Sequence, residues 1–357
     1  MKKLINQPED VVSESLQGMA AAHEDLIKVN LDPIFVYRSD APVQGKVAVI
    51  SGGGSGHEPT HVGYVGRGML DAACPGDVFV SPTSEQIIEA IRRVHAGAGV
   101  LNIVKCYWDD MDVFAEAAEQ AHSEGILCAN ILIDDDVAVS ESVYSHGRRG
   151  TGATVLAEKI CGAAAEEDFD LTRLADLCRR VNLNGRSMGM AFTACTIPIK
   201  GTPTFEIEED QMELGIGIHG EPGRERMKIK SADEITEMLA VEIIEDPFYK
   251  RTIQEWDATK AEWVNVELEN QPFQRGDQVL AFVNGMGGTP VPELYIAYRK
   301  LEQVCTEKGL TIVRRLIGTY ITALEMQGVS ITLLRMDDEL LKLWDAPVNT
   351  PRLRWGI

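Results

Sequence analysis

The chain has 357 residues, 45% of them hydrophobic, which is long and apolar enough for more than one packed core. Its 34 Lys and Arg stand against 55 Asp and Glu, and a net charge of -21 repels nucleic-acid phosphates and anionic membrane surfaces. The expectation is therefore a soluble protein with no nucleic-acid and no membrane partner.

Met1-Lys2-Lys3-Leu4-Ile5-Asn6 carries no apolar run of signal-peptide length, and no later run reaches membrane-spanning length without charges, so the expected location is the cytoplasm. Seven cysteines with no C-x-x-C pair fit reduced core thiols better than disulfides or a zinc site. The pairs Arg92-Arg93, Arg148-Arg149, Arg179-Arg180 and Arg314-Arg315 are scattered and read as solvated faces.

In chain order, Val11, Val12, Leu16, Met19 and Ala20 have the spacing of an amphipathic helix within 8–24. Val47-Ala48-Val49-Ile50 reads as a buried strand that leads into a glycine loop, Ser51-Gly52-Gly53-Gly54-Ser55-Gly56-His57-Glu58-Pro59. A short apolar run, Val78-Phe79-Val80, comes before a helix near Ser81-Pro82-Thr83, with Ile87, Ile88, Ile91 and Val94 on one face. A second strand, Val100–Val104, ends at Lys105-Cys106-Tyr107-Trp108-Asp109-Asp110. A helix then opens around Asp110–Asp112, where carboxylates suit the positive end of the dipole, and Gly125 closes it. A third run, Ile126–Ile133, stops at Asp134-Asp135-Asp136, and helices follow at about 151–166 and 170–181.

This βαβαβ order predicts an α/β N-terminal domain over 1–185, with a mainly parallel sheet flanked by helices. Beyond Asn182-Leu183-Asn184-Gly185 the texture changes. Met188–Thr196 and Glu213–Ile218 read as strands with no helix between them, so 186–357 is expected to be a second, α+β domain. Ser231-x-x-Glu234 is a capping box. Asp277–Val283 is a strand that runs into Asn284-Gly285-Met286-Gly287-Gly288, followed by a helix near Pro292–Lys308 and strands near Thr311–Leu316 and Ser330–Arg335.

The glycine stretch sits where open α/β sheets bind ligands, beyond the carboxyl end of a strand. It is neither a P-loop, since His57-Glu58 stand where Lys and Ser or Thr belong, nor a dinucleotide fingerprint, since His57 or Pro59 replaces the third glycine. A substrate loop and a plain glycine-rich turn both fit. His57, Lys105, Asp110, Asp134 to Asp136 and His219 are the polar groups at strand ends or in glycine-flanked loops. Asp110 reads either as a general base or as a helix N-terminal carboxylate, and His219 either as a nucleophile or as a hydrogen-bonded structural residue. Asp134–Asp136 reads as a solvated loop, with a Mg²⁺ site the minor alternative, and no metal is expected. His23, His61, His95, His122 and His146 lack such context and are expected at surface or structural positions.

Six motifs in one order carry a resemblance: the glycine stretch, Cys74-Pro75-Gly76, Ile133-Asp134-Asp135-Asp136-Val137-Ala138-Val139, Gly147-Arg148-Arg149-Gly150, Gly215-Ile216-Gly217-Ile218-His219-Gly220-Glu221-Pro222-Gly223 and Leu343-Trp344-Asp345-Ala346-Pro347-Val348. Together they resemble the dihydroxyacetone-binding subunit of dihydroxyacetone kinase of the phosphotransferase type, in its separate-subunit form.

The resemblance implies that His219 holds the ketose covalently as a hemiaminal. His57 then hydrogen-bonds the ketose and assists proton transfer, Asp110 is the general base, and Gly54, Ser55, Gly56 and Lys105 contact substrate. It further implies a homodimer that binds no cofactor itself, with nucleotide and Mg²⁺ held by a helical partner kinase subunit. Cys106-Tyr107-Trp108-Asp109-Asp110 is bulkier and more acidic than the Asn-Tyr-Thr-Gly-Asp expected of dihydroxyacetone enzymes, which leaves a four-carbon ketose such as erythrulose open. A non-catalytic dihydroxyacetone-sensing coregulator of transcription is the alternative from another class.

Overall fold

The computed structural model describes residues 2–139, 147–257, 260 and 262–357. Helix α1 (Val11–Ala22) buries Val12 and Leu16, one helical turn apart. The hairpin β1 (Ile27–Leu31) and β2 (Ile34–Arg38) comes next. The βαβ succession then follows as β3 (Ala48–Ser55), β4 (Ala72–Val78), α2 (Ser84–Val94), β5 (Val100–Lys105), α3 (Trp108–Ser123) and β6 (Cys128–Ile133). Among the described residues these strands form one sheet in the order β1-β2-β4-β3-β5-β6, parallel from β4 to β6.

Two helices, α4 (Ala153–Glu166) and α5 (Leu171–Asn184), lead into a second sheet. Its elements are β7 (Gly185–Ala191), β8 (Gln211–Leu214), β9 (Glu225–Lys228), α6 (Ala232–Ile244), the hairpin β10 (Tyr249–Asp257) and β11 (Glu262–Asn270), β12 (Gln278–Gly285), α7 (Val291–Lys308), β13 (Thr311–Gly318) and β14 (Gly328–Arg335). The sheet runs β13-β12-β14-β7-β8-β9 and is antiparallel except where β12 meets β13. Helix α8 (Asp338–Asp345) and the small pair β15 (Val348–Asn349) and β16 (Arg354–Trp355) return the chain to α4 and the first sheet.

The layers follow from which faces are apolar. Ile87, Ile91 and Phe114 of α2 and α3 cover one face of the first sheet, and α6 and α7 cover the outer face of the second with Leu239, Leu294 and Leu301. Between the sheets lie α4, α5 and α8. Helix α4 is buried all round from Ala153 to Ala165, which explains its small, apolar sequence. At Gly162 a Cβ would lie 2.3 Å from Met69 Cα, so only glycine admits that approach.

Three local expectations are corrected. First, the glycine run is not a loop: β3 continues through Ser55, and Gly52, Gly53 and Gly54 pair in register with Cys74, Pro75 and Gly76. A Cβ at Gly52 would stand 2.6 Å from Cys74 O, and one at Gly54 would stand 2.7 Å from Val80 N, so close packing rather than turning requires the glycines. The turn itself starts at Gly56, at φ 101°.

Second, Asp134, Asp135 and Asp136 form no solvated loop, since all three are buried and fully engaged. Asp134 receives Asn182 and Arg251, and Asp136 receives Arg149 Nε at 2.8 Å. Third, Arg148 and Arg149 are buried rather than solvated. Arg148 forms a bidentate pair with Asp246, which Arg186 also reaches. The cysteines are free and buried. His146 lies outside the described residues.

Asp135 ties the shared helical layer to both sheets. It accepts from Thr151 N at 2.7 Å, Thr151 Oγ1 at 3.0 Å, Ala153 N at 2.9 Å and the Ser187 hydroxyl. Asp135→Ala leaves these donors buried without an acceptor and is expected to cost roughly 3 kcal/mol or more, read as a lower urea midpoint. A midpoint within experimental error of the parent contradicts this role.

Candidate active site

The carboxyl ends of β3, β4 and β5 and the turn after β8 open onto one cleft of about 680 Å³, whose lining includes Gly54, Phe79, Tyr107, Asp110 and His219. Ile197, Lys200 and residues 202–205 also line it. A cleft of this size is typical of small-molecule sites.

His219 is held by its own turn. Its N–H donates to Glu221 Oε2 at 2.9 Å, and its Nδ1 lies 2.9 Å from Glu221 Oε1. A carboxylate only accepts, so Nδ1 carries a proton, and it is in the neutral form of the ring that Nε2 keeps its lone pair. Burial opposes ionisation of Glu221, but His219 and then Arg149 outweigh it and hold the carboxyl down at about 2. Gly217 makes room for that carboxylate: a Cβ there would sit 2.0 Å from Glu221 Oε2.

His57 meets His219 edge-on at 4.6 Å between ring centroids and stacks on Phe79 at 4.9 Å. Its Nδ1 stands 2.7 Å from Thr322 O and must therefore be the donor, leaving Nε2 as an acceptor with no partner among the described residues. Burial first, then the neighbouring His219 and Lys105, hold the His57 pKa well below its usual value, so the ring is neutral at pH 7. Tyr107 sets its ring edge-on to His219 at 4.7 Å.

Asp110, in the first turn of α3, is buried yet lines the cleft. One of its oxygens accepts from the Ser81 hydroxyl and the other from Lys105 Nζ at 3.1 Å. Lys105 itself is wholly buried, reaching Gly52 O and His61 Nε2 at 3.1 Å each. Gly54 lines the cleft. Ser55 donates to Gly76 O at 2.6 Å and Gly56 N–H donates to the Glu58 carboxylate at 2.9 Å, so these two brace the turn that carries His57.

The structure thus places Asp110 and His219 in the cleft lining, with His57 buried against His219 and Lys105 buried against Asp110 just behind it. Sequence reasoning missed Glu221, although its place two residues after a histidine in a glycine turn is a legible signal. Phe79, Ser81 and the buried pair His61 and Glu158 had none, because their partners are remote in sequence. His61 takes a buried structural position, as expected, and packs between Lys105 and Glu158.

The Glu221 carboxyl falls from the ordinary 4.5 to about 2 on folding. A depressed acid pKa contributes stability that is complete above about pH 4.5 and is lost as pH falls through about 2. A carbon-detected titration of this carboxyl is expected to show a midpoint well below that of an exposed glutamate, and the shift should vanish in His219→Ala/Arg149→Met. A midpoint near 4.5 in the parent contradicts the pairing.

A Dak1 domain model matches residues 17–352. Over 356 residues the chain is 49% identical to the PEP-dependent dihydroxyacetone kinase, dihydroxyacetone-binding subunit DhaK, of Escherichia coli (strain K12), covering 100% of both chains. It is 35% identical to the L-erythrulose kinase of Pectobacterium atrosepticum, covering 100% of this chain but 57% of that one. The crystal structure of the dihydroxyacetone kinase of C. freundii superposes with a TM-score of 0.84 at 29% identity, over 99% of this chain and 60% of that chain. With the domain model spanning nearly the whole length and a relative so similar from end to end, the chain belongs to the Dak1 family.

Proposed function

We propose that this chain is the dihydroxyacetone-binding subunit of a dihydroxyacetone kinase, a phosphotransferase acting on an alcohol group. In this reading it holds the ketose on His219 as a hemiaminal while a partner nucleotide-binding subunit phosphorylates a ketose hydroxyl. The names of the relatives support the substrate and the partner. The observation that supports the mechanism is the Glu221–His219 pair, which places a proton on Nδ1 and so reserves Nε2 of the neutral ring for the ketone carbon.

In the proposed step the Nε2 lone pair attacks the ketone carbon and the carbonyl π pair moves to oxygen. That alkoxide takes a proton from water in the open cleft while the Nδ1 proton passes by way of Glu221 to solvent, so the protons balance and a ketose adds whole, with no loss of water. The bond fixes a substrate too small to be held tightly by contact area alone, and it excludes alcohols such as glycerol, which offer no electrophilic carbon. His57 Nε2, an acceptor only, receives a ketose hydroxyl. Asp110 accepts the proton of the hydroxyl that attacks phosphorus, a reaction that depends mainly on positioning.

The nucleotide and its Mg²⁺ belong to the partner in this reading, and the homodimer and the cytoplasmic location remain part of it. Among the described residues no helix is long and apolar enough to cross a membrane. Trp108 and Asp109 line the cleft beside Asp110, which favours testing a four-carbon ketose as a second substrate.

The chain alone, given ATP or phosphoenolpyruvate-linked donors and dihydroxyacetone, is expected to show no turnover, and to gain it with the partner; turnover without a partner contradicts the division of labour. His219→Ala should lose the intact-mass adduct and weaken ketose binding roughly 100-fold, whereas His57→Ala and Asp110→Ala should lower kcat by about 10²–10⁴ with smaller effects on binding. Normal affinity in His219→Ala returns that residue to a structural role. Comparing kcat/KM for dihydroxyacetone and erythrulose, with Trp108→Thr alongside, decides the substrate: a parent preference for erythrulose that Trp108→Thr reverses would overturn the three-carbon assignment.

A further inference from the structure

Behind Asp110 runs a line of buried polar groups that the reaction itself does not use. Glu158 and His61 are both buried, and neither lines the cleft. Glu158 sits in the middle of α4, among alanines and branched apolar residues that pack without it. Taking a carboxyl and an imidazole out of water is costly, and burial pushes the Glu158 pKa up to about 8 against the opposing pull of Lys105.

With an ammonium at Lys105, the donors and acceptors in this line select one arrangement, in which Glu158 Oε1 accepts whether or not Oε2 carries a proton. An ammonium has three N–H donors, and Lys105 Nζ has three neighbours at 3.1 Å: Gly52 O, Asp110 Oδ2 and His61 Nε2. The first two are acceptors, so the third proton of Lys105 is satisfied only if His61 Nε2 is unprotonated. That places the ring proton of His61 on Nδ1, where the Glu158 Oε1 at 2.5 Å accepts it. Burial, then Lys105 and His57, hold the His61 pKa well below its usual value, which keeps the ring neutral as this arrangement requires. Gly53 completes the enclosure: a Cβ there would lie 2.0 Å from Lys105 Nζ.

We propose that Glu158 and His61 are positioning residues for phosphoryl transfer: Glu158 fixes the His61 tautomer, His61 takes the third proton of Lys105, and Lys105 so held fixes the Asp110 carboxylate at the cleft. Neither residue touches substrate. Without the His61 acceptor, a fully buried ammonium keeps one unpaired N–H and relaxes toward another partner, carrying Asp110 with it. Small displacements of a base cost turnover more than binding, because the ketose is held separately by His219.

This inference rests on the kinase reading above, and the experiment separates the two. With the partner subunit present, His61→Leu is expected to lower kcat by about tenfold or more while KM for dihydroxyacetone and adduct formation stay within about threefold. Glutamine offers one donor and one acceptor, like the Nδ1-protonated ring, and His61→Gln should restore most of kcat. Unchanged kcat in His61→Leu, or equal losses of kcat and adduct in both variants, overturns the proposal. The ¹⁵N spectrum of His61 in the parent chain, recorded without ketose or partner, covers the case in which His61→Leu does not fold: an Nδ1-protonated ring supports the clamp and an Nε2-protonated ring overturns it. If the parent and its partner fail to phosphorylate any ketose, the kinase reading falls by itself, while that spectrum still decides the clamp.

Discussion

Everything proposed for the cleft depends on one hydrogen bond, from His219 Nδ1 to the Glu221 carboxylate. A neutral imidazole has one protonated and one unprotonated nitrogen, and only the second is a nucleophile. Glu221 decides which is which. Its ability to do so rests in turn on Arg149, which helps keep it ionised although it is buried, and on Gly217, whose missing Cβ leaves space for it. His57 obeys the same logic with a different acceptor, since the Thr322 carbonyl takes its Nδ1 proton and leaves Nε2 open. The two imidazoles meet ring to ring, each with its Nδ1 proton taken by a fixed acceptor.

The architecture supplies these groups from far apart. His57 and Asp110 come from the carboxyl edge of the first sheet, His219 and Glu221 from the turn after β8 in the second, and Thr322 from the segment after β13. The shared layer of α4, α5 and α8 holds the two sheets together, and Asp135 pins the start of α4 to β7 through Ser187. Rigid elements thus set both the ring contacts and the position of Asp110, which suits a reaction governed by alignment.

The βαβ order was legible because buried parallel strands read as continuous apolar runs, and the capping box at Ser231 is a local signal that tertiary packing left intact. The glycine stretch misled because glycine marks both turns and close strand contacts. Only the neighbouring chain, with Cys74 O and Val80 N so near, decides between them. Asp134–Asp136 and Arg148-Arg149 misled for a related reason. Charge reads as solvation until its partner is visible, and Asp246 and Arg251 lie about a hundred residues away. Within the site, His57, Asp110 and His219 were legible from their places at strand ends and glycine turns, and their roles came from the resemblance. His61 was not legible, since Glu158 lies 97 residues on and Lys105 lies 44 residues on.

The covalent hold on the ketose is the centre of this account, and carbon NMR with dihydroxyacetone labelled at the carbonyl tests it most directly. On binding to the chain, the ketone resonance is expected to give way to a bound resonance in the range of a tetrahedral carbon bearing oxygen and nitrogen, and His219→Ala should abolish it. A bound ketose that keeps its carbonyl resonance would contradict the account.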